Sequence, residues 1–380
     1  MHAVVASARR RRTPACTGLH EGKNKGHILG TIVHTRFLPP EERARWVTFV
    51  AESPDGGVHA LPAYLEALCN VTGSSFRILC AERDGGIVGG IALFEQGSRL
   101  GKFVSPRLLL RYNGILLAHE SGSPAQRTAS QLHTLMALEE ALAKLPYPRM
   151  QFRCRSTLTD LRVFAERGWT LQPGWTYVVE LGDMAAAWSR MHKDQRRLVQ
   201  RCGENGLQVT VDGDFEAFHD LHVQTHRRKG APLYLPRDSF RDFVETLQRQ
   251  GLARLFHARL PSGQIVASQL VLTGPHPVTH TIAAATDARA LKSGVSAFLR
   301  WKVFEFLADA GYRANDLTGA GLDPVTRFKS QLGGELALCL RVSRSDRFAF
   351  RAGEFALDLV RRTKSSLARA RTGTDEHPHE

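Results

Sequence analysis

The stretch Arg327 to Gly334, RFKSQLGG, sets a phenylalanine beside a lysine on a short helical pattern that stops at two glycines. Neighbours on a helix point about 100° apart, so an apolar Phe328 does not oblige Lys329 to face water. The lysine is either a solvated surface residue or a cation aimed at a site. Beside an aromatic wall at Phe328, such a cation can stabilise an oxyanion developing on a carbonyl carbon. Asp316, in the strand-like ANDLTG, is either a turn residue or a group that accepts an amine proton or orients Lys329. Together these residues would suit attack of an amine on an ester or thioester, which needs orientation, proton loss and oxyanion stabilisation but no metal.

Cations and small residues elsewhere add to this set. Lys193, Arg196, Arg197 and Arg201 recur at i, i+3, i+4 and i+8 and share a helical face. Their mutual repulsion suits an anionic ligand, although a solvated face countered by Asp194 and Glu204 is the commoner outcome. In THRRKG, Arg227, Arg228 and Lys229 run into a proline-containing loop with Tyr234; the mixture either grips phosphate and stacks on a base or sugar, or is a polar helix end. LKSGVSAFLR, from Leu291 to Arg300, puts Ser293, Gly294 and Ser296 where a strand should hand over to a helix. The exposed N–H groups there either hold a pyrophosphate or carboxylate, or are satisfied by ordinary capping.

These residues need a scaffold, and the sequence predicts one built twice. SFRILCAE and IVGGIALFE flank an Asp-Gly-Gly turn, and LARLFHARL and QIVASQLVLT flank Pro-Ser-Gly, giving two hairpins. Each is followed by an apolar segment and a long helix, Thr128 to Leu145 in the first half and Val295 to Ala310 in the second. A short strand (MQFRC, ANDLTG), a short helix (LTDLRVFAERG, PVTRFKSQLGG) and a last strand (TLQPGWTYVVEL, ELALCLRV) complete each copy. Two units of about 155 residues result, an α/β (α+β) architecture with helices on the faces of a mixed sheet. Counted back from Gly168 and Gly333, Val163 and Phe164 stand where the second copy has Phe328 and Lys329. The lysine therefore belongs to one copy, as a single active centre in a duplicated protein would require.

At 380 residues and 43% hydrophobic, the chain can bury a large core. No apolar run approaches the roughly 20 residues of a spanning helix, and no secretion signal is read. Six single cysteines (16, 69, 80, 154, 202 and 339) with no C-x-x-C pair suit reduced thiols better than a disulfide framework or a zinc site. The excess of 51 basic over 37 acidic residues, +14, either serves solubility or favours a polyanionic partner. Residues 1–27 read as a disordered basic leader. Residues 344–380 read as a basic helix with a disordered tail, its apolar side docked on the second unit or lying on an anionic inner leaflet.

The Gly/Ser helix start, Asp316 and the F-K-x-x-x-G ending resemble the C-terminal part of a GNAT acyltransferase unit. More specifically, Lys193-x-x-Arg196-Arg197, THRRKG, GYRANDLTG and RFKSQLGG resemble the second domain of the Fem-type (FemABX) peptidoglycan cross-bridge transferases and BioF2-like acetyltransferases, which are tandem GNAT folds. SPRLLLRYNGILL, Ser105 to Leu117, resembles the segment before the long helix of the first Fem unit. The resemblance implies units at 28–184 and 185–343, and transfer of an acyl group from acyl-CoA or aminoacyl-tRNA to an amine of a cell-envelope precursor or polysaccharide. The setting is cytoplasmic, with peripheral inner-membrane contact as an option. By this likeness Phe328 and Lys329 occupy the Fem Phe-Lys pair, whose lysine meets the reacting carbonyl or a donor phosphate. The GNAT phosphate loop is degenerate, with Leu291 at its Gln/Arg position and Ser296 at its last small residue, and no coiled-coil arm is present. The alternatives are a non-catalytic GNAT-fold protein that binds RNA or an anionic glycan, and an acetyl-CoA enzyme for a small amine.

Overall fold

Turn chemistry sets the first hairpin. In the computed structural model, which describes residues 32–98, 101–322 and 324–345, Asp84 and Gly85 take φ of 52° and 77°, the paired left-handed geometry whose twist suits the strands it joins. The first half runs β1 (His34–Leu38), α1 (Arg43–Glu52), α2 (Pro62–Thr72), β2 (Ser75–Arg83), β3 (Gly86–Ser98), β4 (Gly101–Val104), β5 (Leu116–Leu117), α3 (Pro124–Ala143), β6 (Arg149–Arg153), α4 (Arg162–Glu166) and β7 (Thr170–Glu180). A short helix α5 (Met184–Arg190) leads into α6 (Lys193–Glu204), β8 (Gln208–Val211), α7 (Phe215–Lys229), α8 (Arg237–Arg249), β9 (Ala253–Arg259), β10 (Ile265–Leu272), β11 (Val278–Thr286), α9 (Val295–Asp309), β12 (Ala314–Asp316), α10 (Pro324–Ser330) and β13 (Glu335–Ser345). The start of α3 follows capping rules: Ser123 and Gln126 form a reciprocal capping box, with Pro124 at the first position.

The strands form one continuous sheet in the order β1-β2-β3-β4-β6-β13-β7-β12-β11-β10-β9-β8, with β5 added to β3. Read from either end, this is the same path through two copies, with β4 parallel to β6 and β11 parallel to β12. At the centre the copies exchange their last strands. β13 pairs with β6 of the first half, β7 pairs with β12 of the second, and the two pair with each other from Glu335↔Val178 to Ser343↔Thr170. The expected mixed sheet flanked by helices is present, and the exchange welds its halves.

Packing reinforces the weld. The described residues from Val33 to Ser345 cluster as one unit, and one of the three apolar cores among them is shared: Trp46, Tyr64 and Phe94 of the first half pack with Phe218, Phe240 and Phe243 of the second. The Tyr64 and Phe243 rings meet edge-on at 5.6 Å, a geometry worth about 1 kcal/mol beyond its area. The expected leader, and the basic helix and tail beyond Ser345, lie outside the described residues.

Each half ends with an inner strand missing if its partner is removed, which exposes the backbone of β6 or β12. Residues 1–184 and 185–380 expressed separately should therefore be insoluble or aggregated, and should yield a folded 1:1 complex when co-expressed. Size-exclusion chromatography and circular dichroism check this.

Candidate functional site

The site arises where two parallel strands part. β11 pairs with β12 only from Val278↔Ala314 to His280↔Asp316. Beyond Asp316 the chain turns to β7, where Leu317 N donates to Tyr177 O at 2.8 Å and Ala320 N to Trp175 O at 2.8 Å. Thr281 to Thr286 of β11 are left without a parallel neighbour, and a cavity of about 510 Å³ opens between them, the start of α9, α7 and α10.

The corresponding wedge in the first half is filled by its own chain. Asn113 binds β6, donating from N to Arg153 O (3.3 Å) and from Nδ2 to Gln151 O (3.0 Å). Leu116 and Leu117 pair with Gly90 and Gly89 of β3. Gly114 between them passes so near β6 that an added Cβ would stand 2.6 Å from Cys154 Cα. About 20 Å³ remains there, room for about one water.

Asp316 anchors the open side. Its Oδ2 accepts from Tyr112 Oη (2.7 Å); its Oδ1 accepts from Thr176 Oγ1 (2.5 Å) and Thr318 N (2.7 Å). His280 Nδ1 stands 3.7 Å from Oδ2. Burial resists ionisation of this carboxyl, but His280 and the Thr176 and Tyr112 hydroxyls outweigh it and hold Asp316 well below the usual carboxylate range. Burial also keeps His280 below its ordinary value, against the pull of Asp316. Tyr112 comes from the segment that plugs the first half, and Thr176 from the exchanged strand β7. The carboxylate is thus assembled from both halves.

What Asp316 positions is the loop after it. Thr318 has φ of 52°, a left-handed conformation that costs a β-branched residue about 1–3 kcal/mol. It is held there by the bond to Asp316 and by its own hydroxyl, which donates to Thr281 O at 2.5 Å. Gly319 N donates to Thr176 Oγ1 at 2.9 Å. The carbonyls of this fixed loop receive the ammonium: Lys329 Nζ donates to Thr318 O at 3.1 Å and Gly319 O at 2.8 Å. Lys329 is half-buried and lines both the 510 Å³ cavity and an adjoining one of about 670 Å³, which also takes in Arg111, Gly319 and Thr326. Phe328 packs on the second-half core, which turns its neighbour toward the cavities.

The remaining sequence candidates divide. Arg228, Tyr234, Gly294 and Ser296 line the 510 Å³ cavity with Phe328 and Lys329. Gly294 caps α9 with φ of 93°, and an added Cβ would lie 2.7 Å from Leu198 Cβ, so a side chain is excluded. Ser296 Oγ and Thr286 Oγ1 are 2.9 Å apart. Lys193, Arg196, Arg197, Arg227 and Ser293 are not among the lining residues; α6 contributes Gln195 and Leu198 instead. Lys193 and Arg197 are exposed, and Arg201, read with them, donates to Ser293 O at 3.2 Å. Asp316 lines neither cavity, so its geometry fits positioning of Lys329 through the loop and not direct proton acceptance.

Several lining residues escaped the sequence reading. Gln269 is fully buried, donating from Nε2 to Thr281 Oγ1 at 3.0 Å while its Oε1 has no partner. His222 of α7 is pushed down to about 3, first by burial and then by His226, and is neutral at pH 7. Arg111, from the quoted SPRLLLRYNGILL, gave no sign of crossing to the other half. Among the described residues no cluster of three or more His, Cys, Asp or Glu is arranged to hold a metal.

Since folding favours the ionised form of Asp316, its contribution to stability is complete above the unfolded pKa of about 3.9 and is lost as pH falls through the depressed folded value. Asp316→Asn should cost about 2–4 kcal/mol at pH 7 and flatten the acid limb of the stability curve below about pH 4. Urea melts across pH check both effects.

Comparison with known proteins agrees with this anatomy. Residues 189–330 match the acetyltransferase (GNAT) domain family. No curated protein matches the chain in sequence. Among solved structures, FemX is similar at 13% identity with a TM-score of 0.62, covering 81% of this chain and 96% of FemX. The C-terminal domain of an Agrobacterium fabrum lysylphosphatidylglycerol synthetase is similar at 13% identity and 0.51, covering 83% and 95%. L-PGS from Bacillus licheniformis follows at 14% and 0.50, covering 81% and 93%. Residues 189–330 thus match the acetyltransferase (GNAT) domain family, and the chain has the fold of FemX over most of its length.

Proposed function

We propose that this chain is an acyltransferase that moves an acyl group from acyl-CoA or an aminoacyl-tRNA onto an amine of a cell-envelope precursor or polysaccharide, with the open wedge of the second unit (185–343) as its reaction site. The observation that carries this reading is the position of Lys329, whose ammonium borders two adjoining cavities while two carbonyls fix its nitrogen. In this reading the 510 Å³ cavity, with the α9 start at Gly294 and Ser296, takes the reactive end of the donor, and the 670 Å³ cavity takes the acceptor amine. Attack of the amine on the donor carbonyl forms the new C–N bond; the carbonyl oxygen gains negative charge beside Lys329; collapse expels the thiolate or the ribose oxygen, and the amine proton leaves to solvent or the leaving group.

The first unit (28–184), its wedge filled, supplies support and substrate contacts: Tyr112 to Asp316, and Arg111 to the second cavity. Exposed Lys193, Arg197 and Arg227, with half-buried Arg196, suit the anionic remainder of the donor, outside the cavity. A peptidoglycan or other envelope acceptor, and a cytoplasmic setting with peripheral contact at the inner membrane, are supported by the likeness to FemX and by the name lysylphosphatidylglycerol synthetase. None of the described helices is long and apolar enough to cross a membrane.

Lys329→Ala should fold with an unchanged circular dichroism spectrum and lose about 10²-fold or more in kcat, measured with acetyl-CoA and with aminoacyl-tRNA against amine acceptors. Unchanged turnover would remove the lysine from the chemistry. Salt-sensitive binding of RNA or an anionic glycan, with neither donor consumed, would favour the non-catalytic alternative.

A further inference from the structure

One turn along α9 from Ser296, on the same helical face, Arg300 enters the wall of the 510 Å³ cavity. It is 8% exposed, and its Nη1 has no hydrogen-bond partner. Among the described residues lining this cavity there is no Asp or Glu, whereas Arg228, Lys229 and Lys329 are all present. Burial pushes the guanidinium down to about 10, which leaves it charged at neutral pH.

A desolvated cation with an unused donor, in a cavity of like charge, is costly to the unliganded fold. Packing does not call for it, since the neighbours Leu299, Trp301, Val303 and Phe304 are buried in an apolar core, whereas Lys302 and Glu305 of the same helix are more exposed and pair with each other. A planar guanidinium suits the two oxygens of a carboxylate or phosphate. We infer that Arg300 is a recognition residue for an anionic group, carboxylate or phosphate, that one of the substrates carries into the wall of the cavity. It acts in addition to the helix start at Gly294 and Ser296, and selects substrates bearing that charge. The inference rests on the cavity being the substrate site, but its test needs no turnover.

The test compares wild type with Arg300→Met and Arg300→Lys by thermal unfolding, with inorganic pyrophosphate as the probe. Without ligand, Arg300→Met should melt higher than wild type, because an unpaired buried charge is replaced by an apolar chain of similar length. Pyrophosphate should raise the melting temperature of wild type, raise that of Arg300→Lys less, and leave Arg300→Met unmoved. Competition then locates the source of the anion: displacement by coenzyme A or by a cytidine-cytidine-adenosine trinucleotide assigns it to the donor, and failure of both to displace assigns it to the acceptor. A lower melting temperature for unliganded Arg300→Met would make Arg300 a structural residue and overturn the inference. Equal stabilisation of wild type and Arg300→Met by pyrophosphate would place the anion elsewhere and overturn it too. Either result leaves the role of Lys329 intact, because the donor-transfer assay is independent of both.

Discussion

A carboxylate buried at the junction of the two halves is the constraint on which the site depends. Asp316 sits at the last pairing position of a three-residue strand, where burial alone would raise its pKa. It stays ionised because Tyr112, Thr176 and the backbone of Thr318 all donate to it. Each of those bonds reaches a different part of the chain, the plugging segment, the exchanged strand and the strained loop. Through the loop the same bonds fix the two carbonyls that hold Lys329. A charge that is expensive to bury has thus become the piece that ties the Lys329 ammonium to a scaffold more than two hundred positions away in sequence.

Duplication explains why one cleft suffices. Both halves contain a pair of parallel strands that part, and parting strands leave backbone groups that must find partners or face a cavity. The first half fills its wedge with Tyr112 to Leu117 and retains Val163 and Phe164 as core. In the second half the wedge stays open, and Lys329 stands where the first has Phe164. The closed wedge supplies rigidity and the tyrosine, while the open one supplies space and charge. Exchange of β7 and β13 makes the division of labour irreversible, since neither half retains a complete sheet without the other.

Much of this was legible in the chain. The hairpins follow from Asp84-Gly85 and from Pro261-Ser262-Gly263, and the order of helix and strand after them follows from periodicity, because local rules dominate there. Strand exchange was not legible: β7 and β13 have similar patterns, and nothing local says which neighbour each takes. The cations of α6 share a helical face, but a shared face does not say what it faces, and the helix offers Gln195 and Leu198 to the cavity. Asp316 was visible as a strand-end residue that either makes a turn, accepts an amine proton or orients Lys329; the choice among these was not legible, because its partners lie at residues 112, 176 and 318. Arg300 and Arg111 stand alone among apolar neighbours, and an isolated arginine in such a run gives no spacing to read.

The central claim, that Tyr112 of one half serves Lys329 of the other through Asp316 and its loop, is tested most directly by a double-mutant cycle on the transfer rate. The account predicts that Tyr112→Phe slows transfer in the wild-type background and has little further effect once Lys329 is alanine, a coupling of about 1 kcal/mol or more. Strictly additive losses in the two backgrounds would contradict it.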